Sequence, residues 1–431
     1  MFKKQRKVKR YRNIYRGKLT SSPFFKLGAS AAALAALIAV GWFLYEPVYQ
    51  FVMRIGEEKE PVSVVEQVSE PESSSGGILD GLFGDGTETE ESSSQPETQE
   101  EIQLHGVYMP ESVLLDPAQR STFIQTCASN GINAIFFDLK NDKGYLNYQS
   151  SLSQVSELGT QAASAVDLSQ VTAEMEAAGI VPVGRIYAFK DPAAASANLE
   201  AAVHYQGTEW AWLDNSAAMG GKAWLNPVNE YAQTYISDIA AEAVGKGVKQ
   251  IILDCVQFPS GYSLEMADYG RVLTEEEKSA VLTEFIGTVD SRVYEAGGEA
   301  AVYMSAPVLL GSSSSQYGAD PFQLTSYGTV LGVMPASFGN AYSSGELVLE
   351  APALDPYSTV QAAINACSGK LRSDEVAVLL QSYTSGSLSS LKNKTYTSED
   401  VQAQIRAAQE KGYENYLLYS PDGNYSIAFG E

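Results

Sequence analysis

Histidine is scarce in this chain, with His105 and His204 the only two among 431 residues. A His-rich zinc site would use both, and a nucleophile activated by imidazole would have to find one of them. Cysteine is scarce too. Cys127, Cys255 and Cys367 are an odd number with no CxxC pair, so neither a disulfide framework nor a zinc ribbon is written here. There is no GxSxG elbow for a serine esterase or deacetylase, and no cofactor or metal is expected. Basic residues are outnumbered, 29 Lys and Arg against 52 Asp and Glu, for a net charge of -23. A surface so acidic repels phosphate backbones, which removes nucleic acid as a partner of the chain as a whole. Against these shortages stand 45% hydrophobic and 10% aromatic residues, enough to bury a core and to exclude a fully disordered protein.

The charge is unevenly spread. Residues 1–55 carry eleven Lys or Arg against Glu46, a net of +10, concentrated in a basic tail at 1–26. Nineteen uncharged residues follow at 27–45, LGASAAALAALIAVGWFLY, close to the ~20 that cross a hydrocarbon layer. Trp42, Tyr45 and Tyr49 lie where amphipathic rings prefer the headgroups. The segment is followed by EPVYQFVMR, without a small-x-small cleavage site, and is expected to be an uncleaved signal anchor. The basic flank places the N-terminus in the cytoplasm and the rest outside, as a single-pass protein of the cell membrane. Residues 46–103 form an acidic Ser/Glu-rich stretch, which from 56 onward holds fourteen acids and only Lys59. Too polar to offset its ordering entropy, it is expected to be a disordered tether spanning on the order of 40 Å. The ordered domain is 104–431, with the remaining charge of -20.

In that domain apolar runs alternate with amphipathic helical segments. Eight runs read as strands: 106–110, 132–139, 180–189, 250–258, 300–307, 329–336, 376–383 and 415–420. They are nearly continuous apolar stretches, as parallel strands covered on both faces require. Between them, Asp116-Pro117, Asp167, Thr274 with Glu277, and Ser398 mark helix starts. The pattern predicts a (β/α)8 TIM-type barrel, with a doubly wound open sheet as the alternative.

In such a barrel the chemistry sits at the carboxyl ends of the strands. The second strand ends in Asp138, Lys140 and Asp142, the third delivers Arg185 and then Asp191, and the fourth ends in Asp254. Arg185 between Asp138 and Asp254 would keep both ionised and bind a sugar hydroxyl; a buried ion-pair network that only braces the mouth is the competing expectation. The long connection after the third strand holds Trp210, Trp212 and Trp224, and Trp224 is the foremost candidate for stacking on a pyranose, with loop pinning as the alternative. Tyr303, Gln381 and Tyr419 lie at later strand ends, whereas strands five to seven end without a carboxylate. Cys255, next to Asp254, is expected to be a small buried hydrophobe turned away from the side that Asp254 faces.

These segments carry a resemblance. FFDLKNDKGYLNY, GIVPVGRIYAFKDP, WLNP and IILDCVQFPS resemble, in order, the signatures of the bacterial glycoside-hydrolase-like family first described as a domain of unknown function, DUF4015. MSAP, VMPASFG and LLQSY fit its later strand ends more loosely, and the likeness spans about residues 104–425. It implies a TIM-type barrel related to polysaccharide-cleaving enzymes. Carried over by position, it singles out Asp138, Lys140, Asp142, Arg185, Asp191, Trp224, Asn226 and Asp254. The chain departs from the family at Cys255 and Gln257, where Tyr and Arg are usual, and at Ser337, where a His is missing. The expected function is a membrane-anchored extracellular glycosidase acting on a cell-envelope or environmental polysaccharide. In it Asp254 serves as nucleophile or base and Asp138 or Asp142 as proton donor, while Arg185, Lys140, Asp191, Trp224, Asn226, Tyr303, Gln381 and Tyr419 hold substrate. The alternative is an inactive barrel that binds a glycan or a partner.

Overall fold

The computed structural model describes residues 103–311 and 315–430. Eight strands form the barrel: β1 (His105–Met109), β2 (Ala134–Lys140), β3 (Val181–Tyr187), β4 (Gln250–Asp254), β5 (Glu299–Ser305), β6 (Gly328–Gly332), β7 (Val376–Gln381) and β8 (Tyr416–Tyr419). Each is parallel to the next, and β1 pairs with both β2 and β8. That closure selects the barrel over the open sheet. All eight runs read from the sequence are strands, but the fourth stops at Asp254 because Cys255 turns to a φ of 54°.

Six helices of ten residues or more cover the outside: α1 (Pro117–Ser129), α2 (Leu168–Ala177), α3 (Glu230–Gly245), α4 (Glu275–Glu295), α5 (Pro356–Ser368) and α6 (Ser398–Gln409). Asp116 and Asp167 cap α1 and α2 with their carboxylates, and Thr274 with Glu277 closes a capping box on α4. For α6 the cap is Thr397, boxed with Asp400, and Ser398 is already helical. Two outer positions are reduced. A five-residue helix (Ala306–Leu310) and a 3-10 segment (Pro321–Ser326) follow β5, and only Ser426–Phe429 follows β8.

Strand alternation sorts the side chains. Val107, Ile135, Phe137, Ile186, Ile251 and Leu253 face the helices, while Tyr108, Phe136, Val183, Ile252, Val330, Leu379 and Leu417 fill the interior. The polar residues of the same inward parity, Asp138, Arg185 and Asp254, therefore emerge above this plug at the carboxyl end.

The seam between β1 and β8 is sealed by Tyr425. Its buried hydroxyl accepts from the N–H groups of Tyr108 (2.9 Å) and Ser420 (3.1 Å) and lies 2.9 Å from Tyr108 O and 3.1 Å from Leu418 O. The predicted basic tail (1–26), anchor (27–45) and linker up to residue 102 lie outside the described residues. Among the described residues no helix is long and apolar enough to cross a membrane, and no group of three or more His, Cys, Asp or Glu is placed to hold a metal ion.

Tyr425→Phe keeps the ring and strands two buried N–H donors. It is expected to cost about 1–3 kcal/mol in denaturant unfolding; a change below about 0.5 kcal/mol would show that the hydroxyl does not hold the seam.

Candidate active site

Arg185 on β3 is the centre of the mouth. Its Nε donates to Asp138 Oδ1 at 2.6 Å and its Nη2 to Asp138 Oδ2 at 3.1 Å, a bidentate pair across adjacent strands in register. Tyr108 from β1 adds its hydroxyl to Asp138 Oδ2 at 2.9 Å. On its other side, Arg185 Nη1 lies 3.8 Å from Asp254 Oδ2. The guanidinium is walled by the rings of Tyr187 (4.9 Å), Tyr108 (5.0 Å), Phe136 (5.9 Å) and Tyr419 (6.0 Å). Burial opposes its charge, yet Asp138, then Tyr187 and Asp254, raise its pKa well above the ordinary guanidinium value. Two carboxylates flanking one guanidinium, one hydrogen-bonded and one at 3.8 Å, lie within about 10 Å of each other, the scale on which glycosidases place their pair.

Asp254 differs from Asp138 in its partners. Its Oδ1 accepts from the backbone N–H of Cys255 at 2.7 Å. Burial, the largest influence, pushes Asp254 above the ordinary aspartate value against the pull of Arg185 and Cys255. Its side chain is 13% exposed, so the group is shielded but reachable. The expectation for Cys255 is corrected in two respects: the residue is only partly buried, and it stands in a left-handed turn beyond the end of the strand, so alternation does not set its side. Strand alternation fails because the strand has already ended. Burial first, then Asp254, raises the thiol pKa, which leaves a neutral thiol and not a nucleophile.

The Asp-x-Lys spacing of β2 does not deliver both residues to the mouth. A register shift between Asp138 and Lys140 leaves Leu139 as the extra residue, and Lys140 pairs with the outward Ile186. Lys140 and Asp191 are fully buried partners at 2.9 Å, and the Lys140 ammonium also donates to the carbonyls of Tyr187 and Ala188. Asp191 in turn caps the helix Pro192–Ala197 through Ala194 N at 2.8 Å. Both were expected to bind substrate, and sealed in this way they fix loops instead. Asp142 lies exposed on the Asn141–Gly144 turn, with no hydrogen bond or ion pair among the described residues, and does not join the Arg185 cluster.

Trp224 is likewise corrected. It is 2% exposed, with Nε1 3.3 Å from Asp214 Oδ2, and offers no face to a sugar. Asn226 fastens its loop through Tyr269 O (3.2 Å) and Val228 N (3.1 Å). Gln381 is buried between Ala336 N and Tyr383 O, each at 2.8 Å, tying the loops after β6 and β7. Tyr303 and Tyr419 do reach the mouth, half-buried, where the ring of Tyr419 lies tilted at 5.0 Å from that of Tyr108. Sequence reasoning missed Tyr108 and Tyr187, because it looked for charge at strand ends and both are rings at inward positions. An apolar groove of about 530 Å³, lined by Phe123, Cys127, Tyr425 and Phe429 among others, lies along α1 and contains no carboxylate.

The model of DUF4015, described as "Putative glycosyl hydrolase domain", matches residues 106–425. The chain belongs to the DUF4015 family. Among solved structures, the PgaB (BpsB) glycoside hydrolase domain of Bordetella bronchiseptica aligns with a TM-score of 0.52 at 13% identity, covering 74% of this chain and 94% of that one. The catalytic domain of a Paenibacillus polymyxa beta-amylase aligns with a TM-score of 0.45 at 11% identity, covering 75% and 95%. A hypothetical protein from Ruminiclostridium thermocellum is 25% identical, with a TM-score of 0.40, over 46% of this chain and 96% of its own. No curated protein matches. At 13% identity the PgaB domain supports the barrel and not a reaction.

The DUF4015 barrel thus presents one carboxylate tied down by Arg185 and one carboxyl with raised proton affinity. A group whose pKa is higher folded than unfolded binds its proton more tightly in the native state, so stability falls as pH rises from the ordinary aspartate range through the raised value, and the penalty persists above it. Asp254→Asn removes that penalty. The variant is expected to melt above wild type at neutral pH, with the gain vanishing below the ordinary aspartate range; a lower melting temperature at neutral pH would contradict the assignment.

Proposed function

We propose that the protein is a glycosidase held at the outer face of the cell membrane, acting on a cell-envelope or environmental polysaccharide by carboxylate acid/base chemistry. The observation that carries this reading is Arg185 clamped between Asp138 and Asp254 at the barrel mouth. Asp254, whose carboxyl is pushed up by burial, is the proton donor to the glycosidic oxygen as the bond to the leaving sugar breaks. Asp138 is the partner carboxylate. Its Oδ1 accepts a single hydrogen bond and keeps a lone pair for the proton of an attacking water. These roles are the reverse of those expected from strand position alone, and they follow from the unequal grip of Arg185 on the two groups. Tyr419 and Tyr303 line the mouth beside them. Anchoring is supported by the sequence, in which a basic flank, an uncharged run and an acidic tether succeed one another before the domain.

A second reading is favoured by one observation. Both oxygens of Asp138 are already engaged by Arg185 and Tyr108, and β5, β6 and β7 end without a replacement carboxylate. A barrel in that state binds a glycan without cleaving it. The two readings separate in one assay of reducing-end release by the full-length protein on soluble glycans and peptidoglycan. Turnover that falls by at least about 100-fold in Asp254→Asn supports the first. Glycan binding without turnover by the wild type supports the second, and full activity of Asp254→Asn removes Asp254 from the mechanism.

A further inference from the structure

The loops after β3 and β4 build a separate assembly above the mouth. His204–Tyr205 pairs antiparallel with Ala267–Asp268 on one side, and Tyr205 N donates to Trp210 O at 2.9 Å on the other. Gln206 N donates to Met266 O at 2.8 Å, and Tyr262 N to Asp214 O at 3.1 Å. Gly261 is obligatory at this join, since a Cβ there would sit 2.3 Å from Asp214 O. The base is sealed by two buried rings, Trp224 and Trp212, the latter donating from Nε1 to Ser263 O at 3.0 Å. Leu225 N bonds Phe189 O and Ala188 N bonds Asp254 O (2.7 Å), so the assembly stands directly on the strand end that carries Asp254.

What it holds up is apolar. Trp210 is 75% exposed and Tyr262 73%; with Met219, Met266 and Val272 they make five of the eleven large hydrophobic side chains exposed among the described residues. Trp210 and Trp212 flank Ala211, which bridges to His204: Trp212 is fully buried in the core and Trp210 protrudes. Exposed aromatics on a rigid, cross-bonded mount are not scattered surface residues; they mark a binding face.

We propose that Trp210 and Tyr262 form a carbohydrate subsite that holds a glycan chain running from the Asp254 mouth over the β3 and β4 loops. The occupant is a polysaccharide because the loops that carry these rings are rooted on the strand end that bears Asp254 and because a sugar ring matches them, apolar on its C–H face and hydrogen-bonding at its edge. Charge points the same way. Residues 199–226 and 255–274 hold five acids, Glu200, Glu209, Asp214, Glu265 and Asp268, against Lys222 and Arg271. An acidic surround disfavours anionic lipid and phosphate, whereas neutral or cationic glycans are accepted.

This inference rests on the glycan-directed reading above, but not on catalysis. The test is affinity electrophoresis of the full-length protein through gels containing soluble starch, xylan, chitosan or peptidoglycan fragments. Retardation by at least one of them is expected in wild type and in Asp254→Asn, and binding roughly tenfold weaker in Trp210→Ala/Tyr262→Ala with unchanged circular dichroism. No retardation on any probe, equal retardation of the double variant, or an effect of the double variant confined to self-association in sedimentation velocity overturns the subsite. Retardation without turnover in any assay leaves the subsite standing and removes only the catalytic reading.

Discussion

One guanidinium shared by two carboxylates, in a place nearly closed to water, is the constraint on which the mouth of this barrel depends. Charges removed from water are costly unless they are paired and hydrogen-bonded. Here Arg185 neutralises one carboxylate outright, and the second must meet the cost through a raised proton affinity. The three groups come from adjacent strands and are brought into line by the parity that also buries Phe136, Val183 and Ile252 one step below. The polar site is thus the top layer of the packed interior. Its geometry is set by strand register, which a loop could not fix as tightly.

A second buried pair does the same for the loops. Lys140 and Asp191, fully sealed on the outer side of the wall, join the turn after β2 to the helix that starts after β3. Gly144 passes so close that a Cβ there would meet Asp191 Oδ1 at 1.9 Å, and its φ of 86° is itself suited to glycine. Through the carbonyls of Tyr187 and Ala188 this pair braces the segment whose N–H groups hold the end of β4. Acids and bases that stand together in the sequence therefore divide into two sets, one in the mouth and one behind it.

The barrel was legible because parallel strands buried on both faces leave continuous apolar runs, and all eight were visible. Asp138, Arg185 and Asp254 were legible as charges at the ends of such runs. The rest was hidden by local backbone events that composition does not report. The bulge at Leu139 turned Lys140 outward, and the left-handed turn at Cys255 ended β4. Among the tryptophans, spacing gave no sign of which would be a root and which a surface. Trp224 and Trp212 went inside, and Trp210, two positions from Trp212, was left outside. Family membership and barrel agree with a hydrolase, whereas the division of labour between the two aspartates rests on their unequal partners.

The central claim is that Arg185 and Asp138 act as one unit at the barrel mouth. A double-mutant cycle on the unfolding free energy, with Arg185→Met, Asp138→Asn and the double variant, tests it most directly. The account predicts coupling above about 1 kcal/mol, since each single change leaves a buried charge without its partner. Effects that add to within about 0.5 kcal/mol would contradict it.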